Sequence, residues 1–296
     1  MSDTVIQTSG LRRSFGRHQA LDGLNLRVPS GSIFGFLGRN GAGKTTTIRI
    51  LMGLIRPDGG EARVFDEPLA GPGTGIELRR RIGFVAEDKE LYPYMTVEQV
   101  IRFTRSFFPK WRADLERRYL DLFDLPPRQK IPALSKGMRS KLLVLLAMAR
   151  GADLLILDEP TGGLDPAATE DMLRELVALA ASSGTTIFFS SHQLSEVEQI
   201  ADHIAIIDRG RTIVTGSLDD LKLRYQRLLV VFQKESPPIR WPDGAEHVRQ
   251  EGRTVSILAS HNVDAIVEQA RSLPGASVER HPATLKEIFL EHVRSN

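Results

Sequence analysis

Cysteine is absent from this chain of 296 residues. That excludes a disulfide framework, a thiolate metal site and a cysteine nucleophile, and it suits a reducing compartment. Strong charge of either sign is missing too. A formal net charge of +2 gives no marked pull toward nucleic acid or an anionic membrane surface. Long apolar runs are lacking. The longest, Leu142 to Ala149, is too short to span a bilayer, so any step at a membrane needs a second chain. The opening MSDTVIQTSGLRRSF has no apolar core after a basic start and does not read as a secretory signal. No internal repeat is present. The remainder, 41% hydrophobic and 26% charged, is that of an ordinary globular protein of one large domain or two smaller ones.

Gly38-Arg39-Asn40-Gly41-Ala42-Gly43-Lys44-Thr45 fits the phosphate-cradling loop G-x-x-x-x-G-K-[ST]. Ile33 to Leu37 before it reads as a buried strand. After it, Ile48, Leu51, Met52 and Ile55 recur at helical spacing, and Pro57 stops the run. A Gly-rich turn between strand and helix lets backbone N–H groups converge on an anion, and the helix N-terminus adds a favourable dipole. Lys44 can then reach the β- and γ-phosphates, and the Thr45 hydroxyl can ligate Mg²⁺. No Asn-Lys-x-Asp sequence of the kind that reads guanine occurs, which favours adenine.

Residues 1–30 alternate as antiparallel strands do, for example Leu24-Asn25-Leu26-Arg27-Val28. Ala62 to Phe65 reads as another short strand, and Thr96 to about Ala149 as mostly helical. Leu154 to Leu157, Thr186 to Phe189 and Ile204 to Ile207 are continuous apolar runs of the sort that form central parallel strands. Asp208-Arg209-Gly210-Arg211 predicts a hairpin turn into Thr212-Ile213-Val214. Past Leu221 the character changes. Pro237-Pro238 and Trp241-Pro242-Asp243-Gly244 mark irregular chain. A strand (254–258), a helix (263–272), a strand (276–280) and a last helix (284–293) follow.

Asp158 and Glu159 end the apolar run Leu154 to Leu157, where ligands of parallel sheets collect. Adjacent carboxylates there can divide the labour. Asp158 is expected to hold Mg²⁺ through its water shell, since Mg²⁺ sheds water reluctantly. Glu159 is expected to polarise the attacking water as general base, a role worth about 10²–10⁴ in rate. His192 follows its own strand through Ser190-Ser191. It can hydrogen-bond the γ-phosphate or the water.

Together these elements resemble the nucleotide-binding subunit of an ABC transporter. Leu134-Ser135-Lys136-Gly137-Met138 resembles the family's signature motif, usually Leu-Ser-Gly-Gly-Gln. Leu154 to Glu159 resembles the Walker B strand with its catalytic glutamate, Gly163-Leu164-Asp165 the D-loop, and His192 the switch histidine. Phe15 resembles the aromatic that stacks on adenine. Ile82 to Glu87 matches the segment leading to the Q-loop, with Glu where most members have Gln. The resemblance covers about residues 3–221. It implies a P-loop NTPase of α/β class with an antiparallel β subdomain and a helical subdomain at about 88–150, in an ATPase domain of residues 1–221. A small α+β accessory domain at 222–296 follows.

It also implies ATP as the nucleotide, bound by Phe15, Gly38, Arg39, Asn40, Gly41, Ala42, Gly43, Lys44, Thr45 and Thr46. Thr45, Glu87 and Asp158 are the implied ligands of Mg²⁺, and Glu159 and His192 the catalytic pair. Ser135, read from the residues alone, is a good helix N-cap, and Gly137 leaves that helix start open to close approach. In the family, Ser135, Gly137 and Asp165 would serve the nucleotide of a second subunit. Two subunits then pair head to tail around two ATP, as a homodimer or with a paired ATPase.

Lys136, Met138 and Glu87 depart from the usual pattern; such variants are frequent in the exporter-type branch that the C-terminal segment also resembles. Tyr92 and Tyr94, before a helix bearing Phe103 and Phe107, are expected to meet a separate multi-span permease. The chain would then lie on the cytoplasmic face of the membrane through that permease. His247, His261, His281 and His292 have a spacing that fits no compact metal site. Two other readings stay open: a non-transport ABC ATPase acting on nucleic acid or the ribosome, and a nucleotide-gated regulator that barely hydrolyses. Near-neutral charge and a single ATPase unit speak against the first, and no nucleic acid partner is expected. Co-purification with a multi-span protein and a steady-state ATPase assay separate the three.

Overall fold

Alternation at the start of the chain becomes two long antiparallel strands, β1 (Thr4–Phe15) and β2 (His18–Pro29). The computed structural model describes residues 3–69, 75–88 and 90–294. Strand β3 (Ile33–Gly38) is buried along its whole length, as its unbroken apolar run predicts. Helix α1 (Lys44–Leu51) follows the Gly-rich turn. It is shorter than the apolar spacing predicts, because Gly53 takes a left-handed φ of 65°. The Gly53 N–H donates to the Ile50 carbonyl and the Leu54 N–H to the Arg49 carbonyl, both at 2.8 Å. That pair of bonds closes the helix end, so Ile55 lies beyond it while still packing on the core. Strands β4 (Gly59–Val64) and β5 (Glu67–Pro68) complete a sheet of order β2-β1-β4-β5.

Helix α2 (Ile76–Arg80) leads into β6 (Ile82–Val85). The predicted helical stretch is resolved into α3 (Val97–Arg105), α4 (Ala113–Leu122) and α5 (Lys136–Met148). Thr96 and Gln99 form a reciprocal capping box at the start of α3. Strand β7 (Leu154–Asp158), helix α6 (Pro166–Ser183), strand β8 (Thr186–Ser191), helix α7 (Leu194–Ile200) and strands β9 (His203–Asp208) and β10 (Arg211–Ser217) follow. The order in the second sheet is β10-β9-β3-β8-β7-β6. Its pairs β3–β8, β3–β9, β7–β8 and β6–β7 are parallel. Leu154, Leu155, Ile156 and Leu157 are wholly buried. Each contributes about 1.5–3 kcal/mol by leaving water. That anchorage holds the polar residues that end the strand in place.

Two compact units divide the chain, Met1–Thr215 and Gly216–Asn296. The second begins with helix α8 (Leu218–Arg224) and strand β11 (Gln226–Phe232). Strands β12 (Ala245–Glu251) and β13 (Thr254–Ala259), helix α9 (Val263–Ser272), strand β14 (Ala276–Pro282) and helix α10 (Leu285–Arg294) follow. Its sheet runs β12-β13-β11-β14. Leu228, Val230, Val255 and Ile257 from one face pack on Ile266 and Ala270 of α9. Of the four strands, β13 and β14 were legible as strands in sequence. Strand β11 was not singled out, and β12 is exposed along nearly its whole length and polar, so no apolar alternation announces it.

Candidate functional site

The C-terminal end of β7 and the chain just past β3 and β6 open onto a depression of about 380 Å³. Phe15, His18, Arg39, Asn40, Gly43, Lys44, Thr45, Thr46, Glu87, Asp158 and Glu159 all line it. The loop after β3 is shaped by steric necessity. Gly43 has φ 107°, and a Cβ there would lie 2.6 Å from the Ala20 carbonyl oxygen. No other residue fits without moving β2. Lys44, the first residue of α1, is buried, and its ammonium donates to the Gly38 carbonyl at 2.8 Å. The same Nζ lies 3.9 Å from Glu159 Oε1.

Parallel pairing places Asp158 of β7 opposite Ser190 of β8. The Ser190 hydroxyl donates to Asp158 Oδ1 at 2.6 Å. Burial raises the pKa of Asp158, and the negative charges of Glu87 and Glu159 push the same way; hydrogen bonds from Ser190 and Thr45 oppose them. Glu159 follows the strand in a left-handed conformation, φ 50°, uncommon for a residue with a side chain. Its Oε2 lies 2.7 Å from His192 Nδ1. The carboxylate oxygen accepts, so Nδ1 carries the proton. The Glu159 side chain is 12% exposed and that of His192 60%. Glu87, past the end of β6, accepts from the Thr45 hydroxyl at 3.4 Å.

Phe15, at the end of β1, is 45% exposed at the rim. The Arg13 guanidinium sits 4.9 Å from its ring centroid. Ser135, Gly137 and Asp165 are elsewhere and line no part of this depression. Ser135 caps α5, its hydroxyl accepting from the Met138 N–H at 3.1 Å. Asp165 caps α6, and its bond from the Ala168 N–H at 2.9 Å holds its carboxyl below the usual range. The α5 start lies against the chain between β7 and α6. A Cβ on Gly137 would come 2.9 Å from the Gly163 carbonyl oxygen.

Several residues at or behind the site were not anticipated. His18 and Ala20 line the depression from the edge of β2. Ser190 sits behind the carboxylates. Glu196 of α7 is buried, and its Oε2 accepts from the hydroxyls of Thr161 at 2.9 Å and Ser191 at 2.8 Å. These bonds tie the loop after β7 to the end of β8. The doublet Ser190-Ser191 between an apolar strand and His192 was the one available signal.

The arrangement joins a backbone cradle and one buried ammonium to three carboxylates. Such a site suits a polyphosphate accompanied by a hard divalent cation. The Thr45 hydroxyl and the carboxylates of Glu87 and Asp158 are oxygen donors of the kind Mg²⁺ takes. Burial first, and the charges of Glu87 and Glu159 after it, disfavour the ionised form of Asp158, and a cation there would offset both.

The family model described as ABC transporter matches residues 21–162. A second, described as an AAA domain, putative AbiEii toxin of a type IV toxin–antitoxin system, matches residues 127–198. The bacitracin transport ATP-binding protein BcrA of Bacillus licheniformis is 38% identical over 228 residues, 76% of this chain and 74% of its own length. The Nod factor export ATP-binding protein I of Ralstonia nicotianae is 32% identical over 305 residues, 98% of this chain and 94% of its own. Among solved structures, one titled as the ATP binding subunit of an ABC transporter is 31% identical with a TM-score of 0.67. It covers 74% of this chain and 92% of that one.

Proposed function

The chain belongs to the ABC transporter ATP-binding family, and from that premise we propose how its residues divide the work of an exporter's ATPase motor. ATP enters the depression with its adenine against Phe15 and its phosphates in the cradle of residues 38–46. Lys44 exchanges the Gly38 carbonyl for phosphate oxygens, at little cost because its ammonium is already desolvated. Thr45, Glu87 and Asp158 would hold Mg²⁺, which would neutralise phosphate charge.

Glu159 accepts the proton of the attacking water. His192 donates a ring N–H to the γ-phosphate once that group displaces its bond to Glu159. The exchange frees the Glu159 carboxylate to act as base. The observation that carries this reading is the position of one carboxylate between an ammonium and an imidazole N–H. Glu159 stands 3.9 Å from Lys44 Nζ and 2.7 Å from His192 Nδ1.

Ser135, Gly137 and Asp165 face another subunit's nucleotide. Two anion-accepting helix starts lie in one chain, α1 in the depression and α5 away from it. A head-to-tail dimer gives each ATP one of each. Among the described residues no helix is long and apolar enough to cross a membrane; in this reading the cargo passes through a separate permease. Tyr92, Tyr94, Phe103 and Phe107 form its docking groove on the helical part of the first unit. They are 47%, 69%, 39% and 55% exposed, with successive ring centroids 5.9, 5.4 and 5.1 Å apart. Docked there, the subunit works on the cytoplasmic face of the membrane.

Glu159→Gln is expected to lower ATP turnover by about 10²–10⁴ and to trap a dimer with Mg-ATP, seen by light scattering. Glu87→Gln retains turnover. Wild-type hydrolysis by Glu159→Gln removes it as base, and a monomer at saturating Mg-ATP removes the shared site.

A further inference from the structure

We propose that Ser190 is a positioning residue for ATP hydrolysis, its single hydroxyl aiming both the metal-holding Asp158 and the base Glu159. The sheet register makes this possible. Asp158 and Ser190 are direct neighbours on parallel strands, so their side chains leave the sheet on the same side. Ser190 Oγ donates its one proton to Asp158 Oδ1 at 2.6 Å. With that proton committed, the oxygen has lone pairs left, and it accepts from the Glu159 backbone N–H at 3.1 Å.

The second bond matters because of where Glu159 stands. It is the first residue beyond β7, in a left-handed backbone conformation at φ 50°. A side-chain-bearing residue holds that conformation only where its surroundings impose it. Ser190, with no exposed surface, imposes it from behind. The turn then brings the Glu159 carboxylate to Lys44 and His192. The first bond fixes one oxygen of Asp158 in the sheet, and Asp158 itself lines the depression. Alanine at position 190 could make neither bond, and a weak donor of the same size would make them poorly.

The inference rests on the roles given to Asp158 and Glu159 above, so the experiment carries Glu159→Gln alongside. Full-length Ser190→Ala and Ser190→Thr are compared with wild type in steady-state ATPase kinetics. Metal-free ATP binding and Mn²⁺ affinity, read by electron paramagnetic resonance in the presence of ATP, are measured on the same proteins. Ser190→Ala is expected to lose about 10–100-fold in kcat and in Mn²⁺ affinity, the usual effect of removing the partner of a metal-site carboxylate. Its metal-free ATP affinity stays at the wild-type value, the KM for Mg-ATP rises with the lost metal affinity, and Ser190→Thr recovers every loss.

Wild-type kcat and Mn²⁺ affinity in Ser190→Ala overturn the proposal. So does an equal loss in a folded Ser190→Thr, since the hydroxyl would then not be what counts. If the alanine variant does not fold, Ser190→Cys, matched in size and weak as a donor, is held to the same criteria. Should Glu159→Gln hydrolyse like wild type, the reading of the base fails. An inactive Glu159→Gln beside an unaffected Ser190→Ala sinks the role of Ser190 alone.

Discussion

Asp158 lies at the end of β7 with 2% of its surface exposed. Burial raises its carboxyl above the ordinary value of 3.8, helped by the charges of Glu87 and Glu159. The consequence for stability has a definite sign. Above pH 3.8 the unfolded chain releases this proton while the folded one keeps it, so stability falls as pH rises through the folded pKa. Once ionised, Asp158 is a buried charge that costs the free protein stability. Asp158→Asn keeps the oxygen that accepts from Ser190 and sheds the charge. In protein free of metal and nucleotide at pH 7 it is expected to melt higher than wild type, since the buried charge is gone. The gain shrinks as pH is lowered in parallel thermal scans, and ATP turnover is lost.

Helix α5 shows how an element is placed by what its first turn touches. Ser135 caps it, and the Ser140 hydroxyl reaches the Gly162 carbonyl at 2.9 Å. Gly137 stands between these contacts. In an exposed helix, alanine would be preferred to glycine by about 1 kcal/mol. Here the added Cβ would meet the Gly163 carbonyl oxygen at 2.9 Å, and forcing such contacts apart costs about 1–3 kcal/mol. The close approach wins. Gly137→Ala is expected to lower the urea midpoint, with reduced ATPase activity because the segment bearing Glu159 and Asp165 must shift. A raised midpoint would show that the loop yields freely.

Over the whole molecule, each unit carries a core of its own. Phe34, Phe36, Leu154, Ile156 and Phe188 belong to the first, and Leu228, Val230, Ile257 and Ile266 to the second. Ile257→Ala is expected to cost about 2–5 kcal/mol, the usual range for emptying a buried aliphatic site. Faster amide exchange should be confined to residues 216–294, with ATP affinity unchanged. Faster exchange in β3 or β7 would contradict that division. The four histidines of the second unit's sequence serve local pairs. His247 meets Glu291 at 3.0 Å, His261 Asp243 at 3.2 Å, His281 Glu279 at 3.4 Å, and His292 the Tyr225 hydroxyl at 3.1 Å.

Local order carried much of this protein's design. The Gly-rich turn, the apolar strands and the cap at Ser135 depend on neighbours within a few positions, so they can be read along the chain. The end of α1 hung on one glycine, and the polar strand β12 had no apolar period to betray it. Tertiary structure alone decided which distant residues meet. Parallel pairing brings Asp158 beside Ser190, and Glu159 within reach of Lys44 and His192. It also leaves Ser135, Gly137 and Asp165 outside their own chain's depression. Sheet register and close helix approach sum forces from residues far apart in sequence, and no local window contains them.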